Sequence, residues 1–292
     1  MFEGAHTALV TPFANNGIDS DAFRALIDRQ IAAGIAGVVP VGTTGESPTL
    51  SHEEHVRVIQ LTVEHTAKRA LVIAGTGSNA TDEAISLTQA AEKAGADAAL
   101  LVAPYYNKPS QEGLFRHFQH IADATELPIM LYSIPGRCGG VGIEPDTVAR
   151  LAEACPNIRA IKEAGGTTER VSQLRQVAPA SFEILSGDDS LTVPFMAVGA
   201  VGVVSVASNL IPGPIADLAR AMREGRLADS RAIHDRYYPL FSAFLKLDTN
   251  PVPIKAALGL RGHCSPDLRL PMVRMPEESL AQLRAVLETL GL

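Results

Sequence analysis

The chain reads as an α/β protein, a (β/α)8 TIM barrel with a C-terminal helical appendage, and three observations carry that expectation. Eight short apolar runs recur at intervals of 19 to 33 residues, each interval close to the length of one strand–helix unit. The stretches between them show helical spacing. After the eighth run the strand signal stops, and from about Ile211 to Leu292 only helical periodicity remains. Eight strand–helix alternations imply a parallel sheet, and eight is the number that closes a barrel. A doubly wound open sheet is the alternative. It usually carries a glycine-rich phosphate turn after its first strand, where this chain has Thr11-Pro12-Phe13-Ala14.

The runs begin near Thr7, Val38, Leu71, Ala98, Pro128, Ile158, Phe182 and Val201. Ser51-His52-Glu53-Glu54 is a capping box that opens a helix over Val56 to His65. Ala84, Ile85, Leu87, Ala90, Ala91 and Ala94 keep helical spacing and stop at Gly95, a residue suited to a left-handed helix end. Ile215 to Met222 supplies the closing helix. Ala228 to Leu247, Pro253 to Leu258 and Glu277 to Leu290 are more than closure requires, so residues 1–224 are assigned to a catalytic barrel and 225–292 to a helical appendage.

With 292 residues and 46% hydrophobic content, the chain can bury a large core. A net charge of −7 leaves no basic footprint for nucleic acid or an anionic membrane surface. Met1-Phe2-Glu3-Gly4 lacks the charged-then-apolar pattern of a signal peptide, and no uncharged apolar stretch approaches the length of a membrane span. Three widely spaced cysteines, Cys138, Cys155 and Cys264, suggest neither a disulfide framework nor a zinc site. A cytoplasmic protein is expected.

Barrel chemistry gathers at the carboxyl ends of the strands. Lys162 ends the run Ile158-Arg159-Ala160-Ile161, where burial would lower its pKa and leave part of the population as a neutral amine. Such an amine can attack the carbonyl of a keto acid and form a Schiff base. Gly42-Thr43-Thr44-Gly45-Glu46 follows the second run; it suits close approach to a carboxylate, or is simply a turn. Only five tyrosines occur, and Tyr105, Tyr106 and Tyr132 fall at the ends of the fourth and fifth runs. Phenol and hydroxyl groups there could pass protons without adding a buried charge. Gly187 and Val204, near the ends of the seventh and eighth runs, offer space and an apolar wall, or merely pack the barrel.

These segments resemble the dihydrodipicolinate synthase family of pyruvate-dependent Schiff-base lyases. The resemblance rests on Gly42–Glu46, Pro104-Tyr105-Tyr106-Asn107-Lys108-Pro109-Ser110, Tyr132-Ser133-Ile134-Pro135-Gly136-Arg137, Ile161-Lys162-Glu163-Ala164 and Leu185-Ser186-Gly187-Asp188-Asp189, and extends through Asn250–Lys255 to Met272. The threonine pair and the lysine motif are similar across a wider superfamily that includes N-acetylneuraminate lyase. The double tyrosine and Arg137 are more specific.

The resemblance implies condensation of pyruvate with aspartate semialdehyde on the route to lysine, with no cofactor and no metal, by a homotetramer built as a dimer of dimers. It implies that Lys162 forms the imine, that Tyr132, Thr43 and Tyr106 relay protons with Tyr106 reaching into a neighbouring subunit, that Thr44 and Val204 hold pyruvate, and that Arg137 binds the aldehyde's carboxylate. It also implies a lysine-binding pocket between subunits made of Ser47, His52, His55, Asn79, Glu83 and Tyr105. Ser133 stands where the family commonly has asparagine and Cys138 where it has threonine, which bears on the setting of Arg137. Cys138 reads as a packing residue, and His117 and His120 as surface residues. The rival readings are a related aldolase acting on a sugar acid, a metal-dependent aldolase, and a silent barrel that binds an amino acid.

Overall fold

The computed structural model describes residues 1–15 and 17–292. Eight parallel strands form one closed barrel: β1 (Gly4–Ala8), β4 (Gly37–Val39), β5 (Leu71–Gly75), β6 (Ala98–Val102), β7 (Ile129–Ser133), β8 (Ile158–Glu163), β9 (Glu183–Ser186) and β10 (Gly202–Ser205). Between β1 and β4 a small antiparallel hairpin, β2 (Phe13–Ala14) and β3 (Gly17–Ile18), leaves the barrel; no sequence signal announces it. β1 closes the ring, pairing with β4 on one side and with β10 on the other, with Gly4 opposite Gly202.

Helices alternate with the strands on the outside: α1 (Ser20–Ala32), α2 (His52–Thr66), α3 (Thr81–Ala94), α4 (Gln111–Asp123), α5 (Pro145–Ala154), α6 (Thr168–Val177), α7 (Thr192–Ala197) and α8 (Pro212–Arg223). The expected capping box of α2 forms: Glu54 N–H donates to Ser51 Oγ, and the Glu54 carboxylate accepts from Ser51 N–H. α3 ends at Gly95 in the left-handed region. Three further helices follow, α9 (Leu227–Lys246), α10 (Val252–Leu260) and α11 (Glu277–Leu290), close to the segments expected.

Three apolar layers hold this arrangement. Inward residues such as Ala8, Val39, Ile73, Leu100, Met130, Ala160, Leu185 and Val204 fill the barrel with Phe2. Outward residues such as Val38, Val72, Leu101, Leu131 and Ile161 pack under the helices. A third cluster joins Ala5, Val10, Leu26 and Val203 of the barrel to Leu240, Phe241, Phe244, Ile254 and Leu283 of the last helices. The appendage is therefore sealed to the barrel by apolar surface, the dominant favourable contribution to folding.

Two expectations need correction. The first strand starts at Gly4 rather than Thr7, because Gly4 and Gly202 let β1 and β10 approach so closely that a Cβ on Gly202 would overlap the Gly4 carbonyl. His117 is buried, not at the surface. It lies in helical phase with Leu114, Phe118 and Ile121, so the face of α4 that meets the barrel carries it inward, where Nδ1 pairs with the Thr81 hydroxyl at 2.9 Å. His120, by contrast, is exposed as expected, its Nδ1 facing the Arg116 carbonyl.

Candidate active site

The alternation of β8 turns Ala160 and Lys162 into the barrel and Arg159 and Ile161 out of it, so the lysine that ends the strand points at the mouth. Lys162 is 6% exposed and lies in register with Tyr132 on β7 and Leu185 on β9. Its ammonium sits 4.1 Å from the centre of the Tyr132 ring. Burial lowers the Lys162 pKa to about 8, with the negative charge of Asp189 opposing the shift and Arg137 adding to it. Burial also pushes Tyr132 up to about 12, partly offset by the Arg137 charge and a hydrogen bond with Thr43. At neutral pH the phenol keeps its proton, while a fraction of the amine has lost one.

A cavity of about 320 Å³ opens over this pair. Thr43, Thr44, Arg137 and Gly187 line it with Lys162 and Tyr132, and Phe241, Phe244 and Leu245 of α9 form an apolar wall. Gly187 has a definite steric job: a Cβ there would stand 3.1 Å from Lys162 Cε and 2.8 Å from Ala164 Cβ, so glycine keeps the lysine's space open. Thr44 Oγ accepts from Asn250 Nδ2 at 3.0 Å, which leaves the threonine's own proton free to donate into the cavity. The exposed Arg137 guanidinium donates to the Asn250 carbonyl at 3.0 Å and to Thr249 Oγ at 3.4 Å. The segment between α9 and α10 thus reaches two of the mouth's polar groups.

Asp189 is a site residue that sequence reasoning misses. Its carboxylate accepts from Ser205 Oγ and from the backbone N–H groups of Val206 and Ala207 at 3.1 and 2.9 Å. Burial raises its pKa to about 6, so at neutral pH it supplies the negative charge that Lys162 feels. Gly187-Asp188-Asp189 after a strand end is the available signal, but nothing in sequence separates the two aspartates. In the structure Asp188 instead caps a short turn through Ser190.

Two expected residues stand apart from this cavity. Val204 is wholly buried in the barrel interior, in register with His6, and Val206 rather than Val204 lines the mouth. Tyr106 is 90% exposed with φ at 72°, and it lines neither this cavity nor the one beside it. The altered fifth loop is well packed. Ser133 Oγ accepts from Ile143 N–H at 3.3 Å, and Cys138 donates to the Ala103 carbonyl at 3.1 Å, its thiol held up at about 11 by burial.

The six residues expected to bind lysine cluster on one flank. Ser47 and Tyr105 line a second cavity, about 220 Å³, that shares Thr43, Tyr132 and Arg137 with the first. Asn79 Nδ2 donates to the Tyr105 carbonyl at 3.2 Å. Glu83 takes hydrogen bonds from His52 at 2.5 Å and from Ser78. His55 is buried and donates to the Gly75 carbonyl at 2.8 Å. Among the described residues no group of three or more His, Cys, Asp or Glu side chains could hold a metal ion.

A family model described as the Dihydrodipicolinate synthetase family matches residues 1–290. The chain belongs to that family. A curated relative from Syntrophus aciditrophicus, called 4-hydroxy-tetrahydrodipicolinate synthase, is 50% identical over 292 residues, covering 100% of this chain and 99% of its own. Among solved structures, the family member from Methylacidiphilum fumariolicum SolV superposes with a TM-score of 0.98 at 54% identity, over 100% of this chain and 96% of that one. A member from Cyanidioschyzon merolae, described with lysine bound, gives a TM-score of 0.95 at 40% identity over 99% and 98% of the two chains. Among the described residues no helix is long and apolar enough to cross a membrane.

Proposed function

We propose that this chain uses Lys162 as the imine-forming amine in the reaction of its family, the condensation of pyruvate with L-aspartate 4-semialdehyde to 4-hydroxy-tetrahydrodipicolinate in the diaminopimelate route to lysine. The observation that carries this reading is a buried, partly deprotonated lysine in a pocket with the ring centre of a neutral tyrosine 4.1 Å from its amine and an arginine at the rim. The amine attacks the ketone carbon of pyruvate, and the departing oxygen needs protons before it can leave as water. They come from the amine itself, which gives up two: Tyr132 carries each from nitrogen to oxygen, donating its own proton and recovering one through Thr43, both groups being neutral and adjacent. The enamine that follows attacks the aldehyde carbon, while Arg137 holds that substrate's carboxylate with two parallel donors. Thr44 donates a hydrogen bond from its free hydroxyl to the pyruvate carboxylate, and Val206, not the buried Val204, walls the cavity beside it.

Tyr106 is assigned to the relay of a neighbouring subunit, which its exposure outside its own chain's cavity supports. A relay shared in this way requires at least a tight dimer in which each copy completes its partner's site, and the working unit is read as a homotetramer of two such dimers. Lysine is assigned to the flank formed by Ser47, His52, His55, Asn79, Glu83 and Tyr105, on the strength of the lysine complex of the Cyanidioschyzon merolae relative and the cavity linking Tyr105 to Tyr132.

Pyruvate with borohydride, followed by peptide mapping, tests the central assignment. One reduced adduct is expected, at Lys162, and none in Lys162→Ala. An adduct at Lys108 or Lys255 would overturn it. The related sugar-acid aldolase is separated by a product assay with both aldehydes.

A further inference from the structure

The threonine turn at the mouth is fastened from behind by a charge pair that no substrate can touch. Val41 and Glu46, which bracket Gly42-Thr43-Thr44-Gly45, both lie in the left-handed region at φ of 49° and 57°. Neither is glycine, so the turn persists only because its surroundings over-determine it. Glu46 does much of that fastening. Its carboxylate accepts from Lys255 Nζ at 2.5 Å and from Arg269 N–H at 3.0 Å. Lys255 is wholly buried, donates also to the Asp267 carbonyl at 2.7 Å, and rests 4.1 Å from the centre of the Phe13 ring. A buried ion pair gains little net stability over apolar packing, because both ions lose their hydration. What it imposes is geometry, since removing either member strands the other.

We propose that Glu46 and Lys255 are positioning residues: their ion pair clamps the turn from the C-terminal helices so that Thr43 stays within hydrogen-bonding reach of Tyr132. This rests on the reading of Thr43 as a proton relay. The segment that carries Lys255 touches the turn twice. Asn250 holds the Thr44 hydroxyl on the cavity side, and Lys255 holds Glu46 on the buried side. The appendage thereby acts on the proton-transfer step without contributing a group to it. Lys162 itself sits on β8, away from this clamp, so the clamp governs the rate of proton transfer and not the lysine's capacity to hold the imine at equilibrium.

Glu46→Gln is the mildest probe, because the amide keeps the shape and can still accept from Arg269 N–H. The expected result is a folded enzyme in which borohydride traps pyruvate at Lys162 to within about twofold of the unmodified chain, while kcat falls about 10- to 100-fold, the scale of a misplaced catalytic group. The double variant Thr43→Val/Glu46→Gln should be no more than about twofold slower than Thr43→Val alone, since the two changes remove the same contact. Losses that multiply in the double variant, or an unchanged kcat in Glu46→Gln, would overturn the clamp. An unchanged kcat in Thr43→Val would instead refute the relay reading itself.

Glu46→Gln/Lys255→Met separates positioning from bulk stability, because it removes the stranded charge as well. A recovered melting temperature with kcat still low supports the clamp. Turnover that recovers together with stability, or failure of both Glu46 variants to fold, shows the pair to be a stability element and overturns it.

Discussion

Lys162 should behave as an amine with a pKa near 8, and the consequence is large enough to measure directly. At pH 7 a lysine with the ordinary value of 10.5 is neutral in about one molecule in three thousand; at about 8 it is neutral in about one in ten. The structure therefore implies about a 300-fold enrichment of the nucleophilic form. Burial is the main cause, and Asp189 holds the shift back. Trace acetylation with acetic anhydride, quantified peptide by peptide across pH 5.5 to 10.5, reads the neutral fraction of each amine without substrate chemistry intervening. Labelling of Lys162 should rise about tenfold per pH unit up to about pH 7, reach half its maximum near pH 8, and then level off, while exposed lysines continue to climb. Half-maximal labelling at or above pH 10 would refute the burial argument and remove the basis for imine formation at neutral pH.

The same burial predicts that Lys162→Met stabilises the inactive protein. A lysine whose folded pKa lies below its unfolded value penalises the fold fully below pH 8, and the penalty disappears as pH rises from 8 to 10.5. The gain in urea unfolding at pH 7 is at most about 3 kcal/mol, reduced by the charge that Asp189 then leaves uncompensated, and should shrink by pH 10.5; a loss of stability at pH 7 would contradict it. Tyr106→Phe should lower turnover about 10²- to 10⁴-fold, and hybrids with Lys162→Ala subunits should recover activity if the phenol works across an interface. Arg137→Ala should raise KM for the aldehyde far more than KM for pyruvate in steady-state assays, and equal losses would mean that its bonds to Thr249 and Asn250 are its main purpose. Glu83→Ala should raise the lysine concentration needed for half-inhibition about 5- to 150-fold, the usual range of allosteric coupling, and an unchanged value would remove Glu83 from the effector site.

Residues governed by local periodicity are legible in the amino-acid order itself. Lys162 stands in phase with the inward residues of its own strand, so its burial and direction follow from alternation alone. Helical phase places His117 inside as well; its polarity points the other way, and phase wins because the ring finds a partner in Thr81. The start of β1 is obscured because Gly4 is a strand residue only through its close approach to Gly202, which no local pattern reveals. Glu46 and Lys255 form the harder case. Each is an ordinary charged residue in its own segment, and their pairing exists only after the barrel closes and the last helices fold across it. Asp189 belongs with them, since its partners Ser205, Val206 and Ala207 arrive from the following strand end. Chemistry carried by strand ends is readable from the chain; the supports behind it are not.

Barrel closure also sets a timetable for synthesis. β1 finds β4 early, but its other flank waits for β10, because Gly4 pairs with Gly202. Until that strand leaves the ribosome, the nascent sheet is an open curl with two bare edges, on β1 and on the last strand made, and an unsealed apolar interior. Such a species is a template for edge pairing and a natural client for chaperones. Chains ending before Gly202 should accumulate as aggregates rather than as partial barrels, and the speed of the first stages of folding matters less than how long the emerging chain is shielded from its neighbours.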